Sequence, residues 1–102
     1  MRERFYWMKE ADALPVFFKV VTQTESVEDF RDAVSEFAMS FNAVYADATD
    51  IGYFHVGFYP ERSNGVDVLL PTWGTGQWEW RGRRAFAHTP QVINPTQGWI
   101  AN

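Results

Sequence analysis

Cysteine is absent from all 102 residues. That excludes a disulfide framework, a thiolate zinc site and a thiol nucleophile, and leaves the redox compartment open. Histidine is scarce: His55 and His88 stand alone, with no second ligand at metal-binding spacing. No run approaches the roughly 18 apolar residues that cross a bilayer, so no membrane partner is expected. Residues 1–12 mix charged and aromatic side chains and lack the apolar centre of a signal peptide. Positive charge is also in short supply, with 9 Lys and Arg against 13 Asp and Glu and a net charge of −4. Such a chain offers phosphates no basic field, so nucleic acid is not an expected partner. The one cationic cluster, Arg81, Arg83 and Arg84, reads as a solvated turn.

What the chain has in excess is aromatic side chains. Five Trp, four Tyr and nine Phe make up 18% of the residues. Aromatics bury large areas, so the simplest use is to compensate for a small core. A chain of this length is at most one domain and buries only about 60–65% of its unfolded surface. The other use is an aromatic-lined pocket or platform.

Read for periodicity, residues 11–23 suggest a helix, with Pro15 near its start where a missing N–H is tolerated. The run Val16–Val21 is also β-branched and aromatic, so a buried strand competes. A second helix carries the better signals. Ser26 can cap it with Asp29 three residues on, and Val27, Phe30, Val34, Phe37, Ala38 and Phe41 recur at helical spacing as one apolar stripe. Asn42–Asp47 and Ile51–Phe58 then read as two strands of a hairpin across a short polar break. Gly52 and Gly57 inside the second strand predict close approach by other backbone, or bulges. From Tyr59 onward come four of the five prolines and five of the seven glycines. One short strand near 77–80 is the only regular element expected there. About 40 residues of turns is unusual inside a compact domain and normally lies against a larger body.

No nucleophile elbow, P-loop or dinucleotide fingerprint occurs. Gly74-Thr75-Gly76 lacks the following glycine and opens no helix. His55 alternates within a strand and reads as a packed or hydrogen-bonded structural side chain. Asp47 and Asp50 read as turn chemistry more readily than as calcium ligands. From the residues alone, no catalytic constellation emerges.

A series of short motifs does carry a likeness: Tyr45-Ala-Asp47, Ile51-Gly-Tyr53, His55, Gly57, Tyr59-Pro60, Arg62, Pro71, Gly74-Thr-Gly76, Trp78-x-Trp80, Gly82, Phe86, Pro90, Val92-x-Asn-Pro95 and Gly98-x-Ile-Ala-Asn102. In order and spacing they resemble the β chain of penicillin acylases, a family that includes acyl-homoserine-lactone acylases. The likeness runs from about Phe17 to Asn102. It implies an α+β fold: two helices, an antiparallel β-hairpin and a long turn-rich segment, as part of the αββα N-terminal-nucleophile hydrolase fold. The expected division is a single fragment, 1–102, of a larger catalytic domain: helical 9–40, hairpin 41–58 and turn-rich tail 59–102.

The resemblance also implies a parent enzyme cleaving a linear amide between an apolar acyl group and an amine. Its nucleophile would be a serine at a chain start, whose own α-amine serves as base. Ser26, Ser35, Ser40 and Ser63 are internal, so no catalytic residue is expected here. The family's oxyanion-hole asparagine follows a tryptophan just past Ile100-Ala-Asn102, outside this sequence. Phe41 and Phe18 match positions that line or approach the acyl pocket. Val68 matches a backbone-carbonyl ligand of the family's structural calcium, whose carboxylate ligands lie elsewhere. Expected partners are the remainder of the acylase (α chain and rest of the β chain) and a small-molecule amide substrate. The parent is expected to be periplasmic or extracellular, and open sheet edges imply self-association of an isolated fragment.

Two departures from the family pattern fall in loops. Ala48-Thr49-Asp50 is one residue shorter than usual and lacks a glycine, so its turn must differ and is expected to draw on Asp50; Arg81-Gly-Arg-Arg84 is more basic. Two other readings compete with the acylase. One is a compact module binding sugar or an apolar ligand on Trp73, Trp78, Trp80 and Trp99; the other is a scaffold that works by oligomerising.

Overall fold

In the computed structural model, residues 13–102 are described; the beginning of the expected helical region, 9–12, lies outside them. Helix α1 (Ala13–Gln23) and helix α2 (Val27–Val34) precede strands β1 (Phe41–Ala46) and β2 (Ile51–Val56). The tail contributes β3 (Pro60–Glu61), β4 (Gly82–Arg83), a single 3₁₀ turn at Phe86–His88 and β5 (Gln91–Ile93). The helix, rather than the buried strand, is what 13–23 adopts. Pro15 is its third residue, where the N–H would have no partner within the helix in any case.

At α2 the capping arrangement forms as expected. Ser26 Oγ accepts from the Asp29 N–H at 3.1 Å and donates to Asp29 Oδ2 at 2.8 Å, and the Glu25 N–H donates to the same carboxylate oxygen at 3.2 Å. The Ser26 hydroxyl, then the Glu25 N–H, holds the Asp29 carboxyl below its ordinary pKa. The helix is shorter than its apolar stripe. It stops at Val34, with Ser35 Oγ donating to Asp32 O at 2.7 Å and Phe37 N–H turning back to Val34 O at 3.1 Å. Phe37 and Ala38 are buried all the same, from a loop rather than a helix face. Ser40, ahead of β1, then lies against Gly57, which has φ +116° and where a Cβ would come 2.7 Å from Ser40 Cα.

β1 and β2 pair antiparallel with Ala43 across from Phe54, and β5 adds to the other edge of β2 with Tyr53 across from Val92. The sheet order is β1-β2-β5. α2 rests on β1 and β2, and α1 packs on α2. Strand alternation sends Gly52, Phe54 and Val56 inward. They meet Ala13, Val16, Val27, Val34, Phe37 and Ala43 in one core, edged by Val20, Phe30, Tyr45, Phe86 and Ile93.

The tail departs from expectation both at 77–80 and in the short elements it forms elsewhere. Residues 77–80 form a turn, not a strand, because the tail pairs elsewhere: Glu61 with Gly82 in a two-stranded ribbon, and Gln91–Ile93 with the hairpin. Ser63, nearly buried, donates to Gln77 O at 3.3 Å and Glu79 O at 3.4 Å and closes the intervening loop. Arg83 lies 3.9 Å over the Phe58 ring. Much of the rest stands clear of the core. The Cα radius of gyration is 16.3 Å, against about 13 Å for a compact chain of this length. Among the described residues no helix is long and apolar enough to cross a membrane.

Candidate functional site

Between α1, α2 and β1 the chain leaves a cleft of about 230 Å³, lined chiefly by Val16, Phe17, Val20, Phe30, Phe37 and Phe41. Three rings organise it. Phe37 meets Phe41 edge-on at 4.6 Å between centroids and Phe17 edge-on at 5.3 Å. None of its lining residues is charged, and the one residue of polar type along it, Asn42, has its side-chain amide engaged by Tyr53 and Asn102. Such a surface can hold an apolar group by burial alone, worth roughly 25 cal/mol for each Å² removed from water.

Phe41 thus stands in the wall of this cleft, 38% exposed. Phe18 does not line it. It is 70% exposed, one residue and roughly 100° round the helix from Phe17, which does. Phe17 and Phe37 went unnoticed in the sequence as cleft residues. For Phe17 the signal was present, since Ala13, Val16, Phe17 and Val20 fall on one helical face and Phe18 does not. For Phe37 it was not, because its inward position depends on the helix ending early.

Catalytic groups are missing from the cleft. Three of the four serine hydroxyls are occupied elsewhere: Ser26 with Asp29, Ser35 with Asp32 O, and Ser63 with backbone carbonyls. His55 Nε2 lies 3.2 Å from the Tyr59 hydroxyl, and its Nδ1 is buried with no partner among the described residues. The hydrogen-bonded part of the structural reading of His55 is therefore observed on one ring nitrogen. Among the described residues no three His, Cys, Asp or Glu side chains gather as a metal site. Val68 is exposed, and the neighbouring Asp67 Oδ1 accepts from the Leu69 N–H at 2.9 Å. One carbonyl does not hold calcium, which takes about six to eight oxygens, so these residues by themselves do not fit the ion.

The hairpin break is a carboxylate-centred turn. Asp47 Oδ1 accepts from the N–H groups of Thr49 and Asp50, both at 2.7 Å, and Oδ2 accepts from the Tyr45 hydroxyl at 2.6 Å. The Tyr45 hydroxyl, followed by those N–H groups, holds the Asp47 carboxyl far below the carboxylate range. In return the Asp47 carboxylate pushes the Tyr45 phenol up to about 12. Asp47 is the centre of the turn, with Asp50 Oδ1 accepting from Asn94 Nδ2 at 2.6 Å. Trp73 and Trp78 share a hollow of about 190 Å³ with Leu70 and Pro71, and neither Trp80 nor Trp99 lines it.

A sequence model described as penicillin amidase matches residues 4–102, nearly the whole chain. The chain belongs to the penicillin amidase family. It is 42% identical over 76 residues to penicillin G acylase of Escherichia coli, a match covering 74% of this chain and 9% of that protein. To the acyl-homoserine lactone acylase QuiP of Pseudomonas fluorescens it is 36% identical over 95 residues, covering 92% of this chain and 12% of the relative. A solved structure of thermostable penicillin G acylase from Alcaligenes faecalis superposes with a TM-score of 0.87 at 33% identity, over 97% of this chain and 18% of that one. The fold is thus part of the N-terminal-nucleophile hydrolase fold of penicillin G acylase. The chain spans about a tenth of the length of these curated relatives. In the family, this segment is part of a much larger acylase.

Proposed function

We propose that this penicillin amidase segment is framework and pocket wall for an enzyme that cleaves a linear amide between an apolar acyl group and an amine. The observation that carries the reading is the uncharged aromatic cleft at Phe41, in a chain whose relatives are acylases. On this reading Phe41, backed by Phe37, bounds the acyl group on one side. Phe18, exposed here, contributes only with surface from outside this chain. The nucleophile, its base and the oxyanion donors come from the remainder of the acylase, so the 102-residue chain alone hydrolyses nothing. Val68 offers a calcium ion one carbonyl, the other ligands coming from outside the chain.

The test replaces the matching segment of the Escherichia coli acylase with this chain and assays an aryl-acyl amide. Hydrolysis is expected. Phe41→Ala in that protein is expected to raise KM by about tenfold, the loss of one buried aromatic contact. A folded chimera that cleaves no amide sinks the acylase reading, and an unchanged KM for Phe41→Ala sinks the role given to the wall.

A further inference from the structure

Asn42 follows Phe41 on β1, so strand alternation turns the two side chains to opposite faces of the sheet. Phe41 goes to the cleft. On the other face, Asn42 Oδ1 accepts from the Tyr53 hydroxyl at 2.8 Å, and Nδ2 donates to Asn102 Oδ1 at 3.0 Å. Tyr53 pairs with Val44, two residues along from Asn42, so this is a diagonal contact on one sheet face. The Asn42 amide therefore joins β1, β2 and residue 102 through a single side chain.

The stretch 94–102 is pinned at both ends. At its start Asn94 exchanges two bonds with Ile51, N–H to O and N–H to Oδ1, each 2.9 Å. The Gly98 N–H then closes a turn onto Pro95 O at 2.8 Å. Beyond that, among the described residues, no backbone hydrogen bond ties 99–102 to the sheet, and Trp99 is exposed. The far end is held by the Asn42–Asn102 contact.

We infer that Asn42 is a positioning residue for the amide cleavage proposed above. It clasps residues 99–102 to the sheet one residue away from the cleft wall, and so fixes the polypeptide at Asn102 relative to an acyl group lying against Phe41. The inference rests on the acylase reading for its chemistry, while the clasp itself is a property of this chain.

The clasp is tested on the full 102-residue chain by ¹⁵N heteronuclear NOE. Asn42→Ala and Tyr53→Phe are expected to loosen residues 99–102 and leave β1 and β2 unchanged. Asn42→Asp, which accepts from the Tyr53 hydroxyl and from an Asn102 amide turned over to present Nδ2, is expected to restore order. The role is tested in the Escherichia coli acylase carrying this segment. There Asn42→Ala is expected to lower kcat about fivefold, the equivalent of one net hydrogen bond, with KM for an aryl-acyl amide unchanged and kcat recovered in Asn42→Asp. Phe41→Ala, by contrast, moves KM. Unchanged NOE values overturn the inference. So does a loosened end with unaltered kcat, or equal kinetics for the Ala and Asp variants. A folded chimera with native Asn42 that cleaves no amide removes the acylase reading and this role with it, and the NOE result shows separately whether the clasp exists.

Discussion

Replacing Gly52 by alanine should destabilise this chain, for a reason visible in the packing. A methyl at that position would sit 2.9 Å from Phe54 Cε2 and 2.9 Å from Val27 Cγ2, where relaxed carbon contacts are about 3.5–4.0 Å. Neither neighbour has room to retreat, since Phe54 is 0% and Val27 2% exposed. The methyl must push α2 off β2 or force a side chain from its rotamer, which costs about 1–3 kcal/mol. We place Gly52→Ala near 2 kcal/mol, or about 10 °C in Tm for a chain of this size. Val27→Ala alone should also cost about 2 kcal/mol through lost burial and a small cavity. Because it removes one of the two clashing contacts, the double variant should fall short of the additive 4 kcal/mol or so. The assay is urea denaturation of all four chains, followed by tryptophan fluorescence and circular dichroism. A Gly52→Ala chain within about 0.5 kcal/mol of the parent, or strict additivity in the cycle, would refute the packing argument.

Three other expectations follow from local geometry. Ser26→Ala should cost about 1 kcal/mol in the same denaturation assay and Ser26→Thr much less, because the capping hydroxyl both accepts from the Asp29 N–H and donates to the Asp29 carboxylate. Asn94 has φ 47°, so Asn94→Gly should be the more stable of two variants and Asn94→Ala about 1 kcal/mol worse; equal midpoints would show that the left-handed backbone is not retained. At the hairpin turn, phenolate absorbance should show Tyr45 ionising near 12 rather than the ordinary 10.0, and Asp47→Asn should return it toward 10.0. The two signs differ. The depressed Asp47 carboxyl contributes stability that is present above its ordinary 3.8 and lost as pH falls below it. The raised Tyr45 phenol contributes stability that is present below 10.0 and lost as pH rises toward 12. A Tyr45 that titrates at the ordinary 10.0 would remove the Asp47 contact from the account.

What the sequence determined by itself was everything set within a few residues. The Ser26–Asp29 cap, the tolerance of Pro15 in a first turn, and the inward alternation of Phe54 and Val56 are each decided by local periodicity and side-chain chemistry. The order of its short motifs was enough to indicate the family, because spacing along a chain survives without knowledge of what the spaced residues touch. Tertiary structure decided what depends on crossings and pairings far along the chain. The end of α2 at Val34 was not set by the apolar stripe, which continues past it into a buried loop. The tail strands formed at 82–83 and 91–93 rather than 77–80, because a two- or three-residue strand is fixed by its distant partner and not by its own propensity. Phe17 rather than Phe18 faces the cleft because the register of α1 on α2 selects one helical face. The cleft itself exists only where α1, α2 and β1 meet, and no spacing in the sequence encodes that meeting directly.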